Sequence, residues 1–277
     1  MRIEFKDIID SEKGKIGLVL GLGPSLRRHM SFIAEANQDK EKYCIISCNN
    51  IDRQLPSLRV DHWMLAQPAD SGSEFYIPNT YQRYNRDPNT TFYYTDCLDL
   101  TPREMVDRLL TVDWIGYDQR HNNSEKCGWK MPNGNDPTCC ARIIPGRKTI
   151  QEEFRDYTEA KELYGCGDTV AIHMISNAVM LGCNPIYVLG VDLNYTNGYV
   201  NNDLPETRTR VGMGMSSVNR SPQMVARVLE DIKFIKECAA KKMVSIYCLD
   251  DDLKIHTVLP RRDYITLLNK TTINHGN

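Results

Sequence analysis

The chain has no apolar run long enough to cross a bilayer, so no membrane-spanning helix is expected in its 277 residues. It also lacks the apolar core of a signal peptide, because residues 1–15 are charged throughout. A cytoplasmic location follows as the expectation, with the ten cysteines reduced. There is no Cys-x-x-Cys pair. There is no basic excess either: the formal net charge of −2 is not that of a general nucleic-acid binder. The composition, 41% hydrophobic and 25% charged, excludes intrinsic disorder as the state of the whole chain. No internal repeat occurs.

What is present reads as alternating strands and helices. Residues 16–20 (Ile-Gly-Leu-Val-Leu) form a short apolar run closed by turn residues, the pattern of a buried strand. The turn Gly21-Leu22-Gly23-Pro24-Ser25 follows, then a helix over 26–36. Further buried strands are read at 44–48, 60–66, 186–189 and 244–249. A largely apolar helix is read at 169–181 with Gly182 as its stop, and an amphipathic one at 223–241. This alternation predicts a single α/β domain over 1–277: a Rossmann-like, mostly parallel doubly wound sheet. The region from about 71 to 145 is rich in Tyr, Asn, Asp, Pro and Gly and reads as an inserted irregular lid. Within it a short strand is expected at 91–95 and a short helix at 102–110, while about 200–220 reads as a mobile segment.

Four cysteines, Cys44, Cys48, Cys183 and Cys248, lie in apolar runs and read as small buried hydrophobes. Cys127, Cys139 and Cys140 share a Gly/Pro/Asn-rich stretch, where His121 would complete a zinc clip. Their spacing matches no standard zinc motif, so ordinary loop cysteines is the preferred reading and no metal site is assigned.

Ligands of open parallel sheets bind outside the carboxyl ends of the strands. At those ends stand Gly21 to Ser25, Asn49-Asn50, Gln67-Pro68, Gly190 to Tyr195, and Asp250 to Asp252. Gly21 and Gly23 permit close backbone approach, Pro24 suits a first helical turn, and Ser25 with free N–H groups suits a phosphate. The rival reading is a tight turn with no ligand. The turn lacks the third glycine of the dinucleotide fingerprint and is not a P-loop. Asn49, Asn50 and Gln67 offer amides that read a base or ribose edge, and helix capping is the rival reading for either asparagine. Asp192 suits a ribose hydroxyl, a metal or a nearby backbone amide. Tyr195 and Tyr199 flank Asn197-Gly198, where a hydroxyl can assist an anionic leaving group, or simply pack at a turn. Asp250 to Asp252 suit Mg²⁺ or a solvated loop. His173 within an apolar helix reads as a packed histidine, and His62 in Val-Asp-His-Trp-Met is ambiguous between packing and chemistry.

The segment from Gly167 to Gly198 (Gly-Asp-Thr-Val-Ala-Ile-His-Met-Ile-Ser-Asn-Ala-Val-Met-Leu-Gly-Cys-Asn-Pro-Ile-Tyr-Val-Leu-Gly-Val-Asp-Leu-Asn-Tyr-Thr-Asn-Gly) resembles a superfamily signature. That superfamily joins 6-hydroxymethylpterin pyrophosphokinase-like proteins to motility-associated flagellin glycosyltransferases. It is also similar to the bacterial sialyltransferases of glycosyltransferase family 42. Gly21 to Leu26, Cys48-Asn49-Asn50 and Ile246 to Leu249 agree in order. The resemblance implies a glycosyltransferase with a nucleotide-activated donor, CMP-linked and sialic-acid-like, and a glycan or glycoconjugate acceptor. It implies nucleotide contacts from Asn49, Gln67, Thr169, Val170, Gly190 and Asp192, with Gly21, Leu22, Gly23, Pro24, Ser25 and Asn50 beside them. It implies that Tyr199 and Tyr195 support the departing phosphate, with no metal required, and it is compatible with a homo-oligomer. Arg208, Arg210 or Arg220 would meet the sugar carboxylate. Two positions depart from the sialyltransferase pattern. Leu22 stands where those enzymes carry Asn, and no histidine lies between His173 and His256 to match their base. The pterin kinase branch implies instead ATP and Mg²⁺. A third reading keeps the fold without catalysis, as a nucleotide- or glycan-binding protein.

Overall fold

The structure, a computed structural model, describes residues 3, 7–49, 51–65, 89–95, 114–120, 164–166, 169–193, 222–249 and 254–262. Eight strands form the sheet: β1 (Ile16–Leu20), β2 (Tyr43–Cys48), β3 (His62–Leu65), β4 (Thr91–Thr95), β5 (Trp114–Arg120), β6 (Tyr164–Cys166), β7 (Ile186–Leu189) and β8 (Ile246–Cys248). Their spatial order is β6-β5-β4-β3-β2-β1-β7-β8. Every pairing is parallel, with Leu18 beside both Ile45 and Tyr187 at the centre. The expected doubly wound α/β sheet is therefore present. Its order reverses at β1, whose two neighbours are β2 and β7.

Strands buried on both faces need apolar side chains on both, and β1 and β2 have them. Leu18, Leu20, Tyr43, Ile45, Tyr187 and Leu189 pack on one face with Phe32 and Ile33 of α1 (Met30–Gln38). Phe32 meets Tyr43 and Tyr187 edge-on, with centroids 5.9 and 6.2 Å apart, the geometry favoured by the ring quadrupoles. Val19, Ile46 and Val188 face the other way. They join a core with α3 (Val170–Met180) and α4 (Pro222–Lys241). The short α2 (Ile51–Gln54) follows β2 and sends Ile51 to this second core. Full burial of a side chain such as Ile172 or Ile232 contributes roughly 1.5–3 kcal/mol.

The ends of α3 show why it starts and stops where it does. Thr169 is its N-cap, with extended backbone and a hydroxyl that accepts a long bond from the Ala171 N–H. At the other end Gly182 has φ +83. The Gly182 and Cys183 N–H groups bond to the Val179 and Ala178 carbonyls at 3.2 and 3.1 Å, so the last helical carbonyls are satisfied. Gly182 is thus the stop that the sequence reading placed there.

Two expectations need correction. The helix read at 26–36 is two elements, a 3₁₀ helix over Pro24–His29 and then α1. His29 at their junction leaves the helical region, with φ −115 and ψ 15. The stretch read as an irregular lid supplies two sheet strands. The β-forming run Thr-Phe-Tyr-Tyr-Thr makes β4, as expected, and Trp114–Arg120 makes β5, which its polar surroundings concealed. The helix expected at 102–110, the rest of the lid and the segment at 200–220 lie outside the described residues. No helix among the described residues is long and apolar enough to cross a membrane.

Candidate functional site

The reversal of strand order at β1 opens the topological switch point between the carboxyl ends of β1 and β7, where α/β sheets bind ligands. Gly21 to Ser25 leave β1 at this point and Gly190 to Asp192 leave β7. The two turns are bonded to each other. The Gly21 N–H donates to the Leu189 carbonyl and the Gly23 N–H to the Gly190 carbonyl, both at 2.8 Å. This closeness explains the glycines. A side-chain carbon on Gly21 would lie 2.2 Å from the Gly190 carbonyl oxygen, and one on Gly23 would lie 2.4 Å from the Asp192 carboxyl carbon. Gly190 itself takes φ +67, which L-residues with side chains resist.

Asp192 closes the arrangement. Its Oδ2 accepts the Ser25 N–H at 3.1 Å, and its Oδ1 accepts the Ser25 hydroxyl in a very short bond. The carboxylate thus sits at the start of the Pro24–His29 helix, where the free N–H groups and the dipole favour an anion. The sequence reading offers Ser25 to a phosphate. Here its N–H and hydroxyl are engaged by Asp192, and of the three roles open to Asp192 the backbone-amide one is observed. Pro24 occupies the first helical turn, as expected. The Leu22 side chain is buried in the core on the α3 side, so what it turns toward the switch point is backbone.

Asn49 ends β2 on the same edge. Its φ of +46 is left-handed, a conformation that asparagine tolerates better than most residues. Its N–H donates to the Met64 carbonyl at 2.9 Å and its carbonyl accepts the Trp63 indole N–H at 2.9 Å. Sequence reading missed this indole lock, although Trp63 lies in the run that it singled out. Thr169 and Val170 begin α3. That helix leads back to β7 against the strand direction, so its N-terminus also lies at the carboxyl edge. Burial alone pushes the Cys48 thiol, at the end of β2, up to about 12, so it is no nucleophile at neutral pH. Cys44, Cys48, Cys183 and Cys248 are all buried free thiols, as read.

Of the sequence-derived set, Gly21, Leu22, Gly23, Pro24, Ser25, Asn49, Thr169, Val170, Gly190 and Asp192 thus gather at one edge. Asn50, Gln67, Tyr195, Tyr199, Arg208, Arg210, Arg220 and Asp250 to Asp252 lie outside the described residues, as do Cys127, Cys139, Cys140 and His121. His173 is buried within α3, the packed position expected of it.

No family model matches the chain, and no curated protein does. Among solved structures it is similar to the monofunctional α-2,3-sialyltransferase Cst-I of Campylobacter jejuni. That likeness has 16% identity over 90% of this chain and 81% of that one, with a TM-score of 0.47. It is similar to an apo α-2,3-sialyltransferase of the same organism at 16% identity, covering 91% and 82% of the two chains, with a TM-score of 0.45. The Campylobacter jejuni sialyltransferase CstII bound to the substrate analogue CMP-3FNeuAc matches at 13% identity, covering 89% and 86%, with a TM-score of 0.42.

Proposed function

We propose that this protein is a glycosyltransferase that uses a nucleotide-activated sugar, CMP-linked and sialic-acid-like. One observation carries the reading. Three of the four segments on which the sequence resemblance rests, centred on Gly21, Asn49 and Asp192, meet at the carboxyl edge beside the switch point, the position that chemistry on such a sheet requires. In this reading the nucleotide lies along that edge. Asn49, Gln67 and Asp192 hold it, and the Gly21 to Ser25 turn flanks the phosphate. Tyr199, with Tyr195, gives a hydrogen bond to the phosphate oxygen as the glycosidic bond breaks. The leaving group is a phosphate monoester stabilised by donors, so the transfer needs no metal. No His stands between His173 and His256 to match the sialyltransferases' base, so a sulfhydryl or carboxylate, as yet unassigned to a residue, takes the acceptor hydroxyl's proton.

The test is a thermal-shift series with CMP, CDP, UDP, GDP and ATP, each with and without Mg²⁺. A ligand that binds only the folded state raises its apparent stability. The expected result is stabilisation by CMP without metal, lost in Asn49→Ala. Stabilisation by ATP only with Mg²⁺ overturns this reading in favour of pyrophosphate transfer. Silence with every nucleotide removes the nucleotide site altogether.

A further inference from the structure

The amino ends of the strands carry a second cluster that the proposed transfer does not use. Glu12 precedes β1, Cys44 is the second residue of β2, and His62 is the first of β3. Their donor atoms all lie within 4.8 Å of one another, the only such group of three His, Cys, Asp or Glu side chains among the described residues. We propose that Glu12, Cys44 and His62 form a binding site for a zinc-type divalent cation, with the fourth position left to water, at the edge of the sheet opposite the nucleotide.

The geometry of the cluster supports this. Glu12 Oε1 and His62 Nε2 are 3.3 Å apart. That is long for a charge-assisted hydrogen bond, but it equals the edge, about 3.3 Å, of a tetrahedron with metal bonds of about 2.0 Å. The outer partners are those a metal site needs. The Tyr93 hydroxyl lies 2.9 Å from His62 Nδ1, which fixes the ring and leaves Nε2 turned to the cluster. Lys15 Nζ holds the other Glu12 oxygen at 2.8 Å, which leaves Oε1 inward. Glu12 is anchored by its N–H, which donates to the Leu181 carbonyl at 2.8 Å.

Cys183 borders the cluster beside Cys44 without belonging to it. It follows the α3 cap and packs over Gly17, where a side-chain carbon would lie 2.8 Å from Cys183 Cβ. Gly17 pairs with Cys44 in the sheet, so the absent side chain makes room for the two sulfurs to meet. Binding displaces the Cys44 thiol proton to solvent and replaces the S–H bond by a metal–thiolate bond. A dication facing one carboxylate, one thiolate and a neutral imidazole leaves no net charge buried. The ligand set, mixed N, O and S, selects zinc over magnesium or calcium.

The experiment uses the full chain, stripped with chelator under reducing conditions and titrated with Co²⁺ as a spectroscopic stand-in for Zn²⁺. The expected result is a tetrahedral visible spectrum with a thiolate-to-cobalt absorption that saturates and is bleached by Zn²⁺. The signal disappears in Cys44→Ser and His62→Gln, and persists in Cys48→Ser, at the far end of the same strand. Glu12 is part-exposed, so Glu12→Gln provides a variant that still folds, and it weakens Co²⁺ binding at least tenfold. Circular dichroism of each metal-free variant reports its fold. A wild-type protein with no sulfur–cobalt absorption overturns the proposal. So does a signal that survives in folded Cys44→Ser, His62→Gln and Glu12→Gln, which would locate the metal on other cysteines.

Discussion

The Asp192 carboxylate holds both the backbone N–H and the hydroxyl of Ser25, a residue 167 positions earlier in the chain. This one side chain ties the exit of β7 to the exit of β1 and completes the first turn of the helix after Gly23. Ser25→Ala and Asp192→Ala are each expected to cost about 1–2 kcal/mol, the range of a lost helix cap. The double variant should cost less than their sum, with a coupling of about 1 kcal/mol in urea denaturation. The same pair separates two roles for Asp192. If it shapes the turn, Ser25→Ala weakens CMP binding as much as Asp192→Asn does. If it holds the ribose directly, Asp192→Asn weakens binding and Ser25→Ala leaves it nearly unchanged.

Gly190 combines φ +67 with the Gly21 carbonyl oxygen 2.8 Å from where a side chain would begin. Gly14 has φ +92 and nothing within 4 Å of that position. The two therefore separate strain from collision. Gly14→Ala is expected to cost about 1 kcal/mol, from the left-handed backbone alone. Gly190→Ala must also push β1 and β7 apart at their exits, and should cost about 3 kcal/mol or more. Equal losses in chemical denaturation would contradict the tight junction between the two turns.

Periodicity and turn chemistry made much of this arrangement legible. Ile16–Leu20 and Ile186–Leu189 stand where the apolar runs placed them, and Gly182 stops its helix. Runs buried on both faces are continuous in sequence, so their limits show. Trp114–Arg120 was hidden because Asp118, Gln119 and Arg120 follow its aromatic start, a pattern that only pairing with β4 turns into strand. Gathering the glycines, Asn49 and Asp192 at one edge needed only the rule for parallel sheets. What the sequence does not carry is partner choice. The turn residues are equally suited to a phosphate and to Asp192, and only the fold brings the carboxylate to them. The cluster of Glu12, Cys44 and His62 was hidden for the same reason, since its members lie in a turn and two separate strands.

Buried acids with raised values make the fold sensitive to alkali. Burial raises the Cys48 thiol from 9.0 to about 12, and burial is the largest cause raising Tyr187 from 10.0 to about 12. Below pH 9 both are protonated in the folded and unfolded chain, and their contribution is complete. Between about pH 9 and 12 the unfolded chain releases these protons first, so stability falls by about 1.4 kcal/mol per pH unit for each proton. Urea midpoints measured from pH 8 to 11 should decline, with the earlier part of the decline shallower in Cys48→Ala. A flat profile would mean that the thiol meets water in the native protein.

The proposed transfer assigns the departing phosphate to Tyr199 and Tyr195, and kinetics can separate that role from donor binding. A hydrogen bond that strengthens only as the leaving oxygen gains charge acts on kcat and not on ground-state affinity. With a CMP-sugar donor, Tyr199→Phe is expected to lower kcat by roughly 10²-fold, the scale of one lost oxyanion donor, while the Kd for CMP changes little. Asn49→Ala should behave in the opposite sense. It weakens CMP and raises KM, because its contact is made equally in the ground and transition states. Tyr195→Phe distinguishes a second donor from a packing residue: a further loss in kcat marks the former, and a lowered Tm with intact kcat marks the latter. A Tyr199→Phe enzyme with unchanged kcat would move the phosphate support to another side chain.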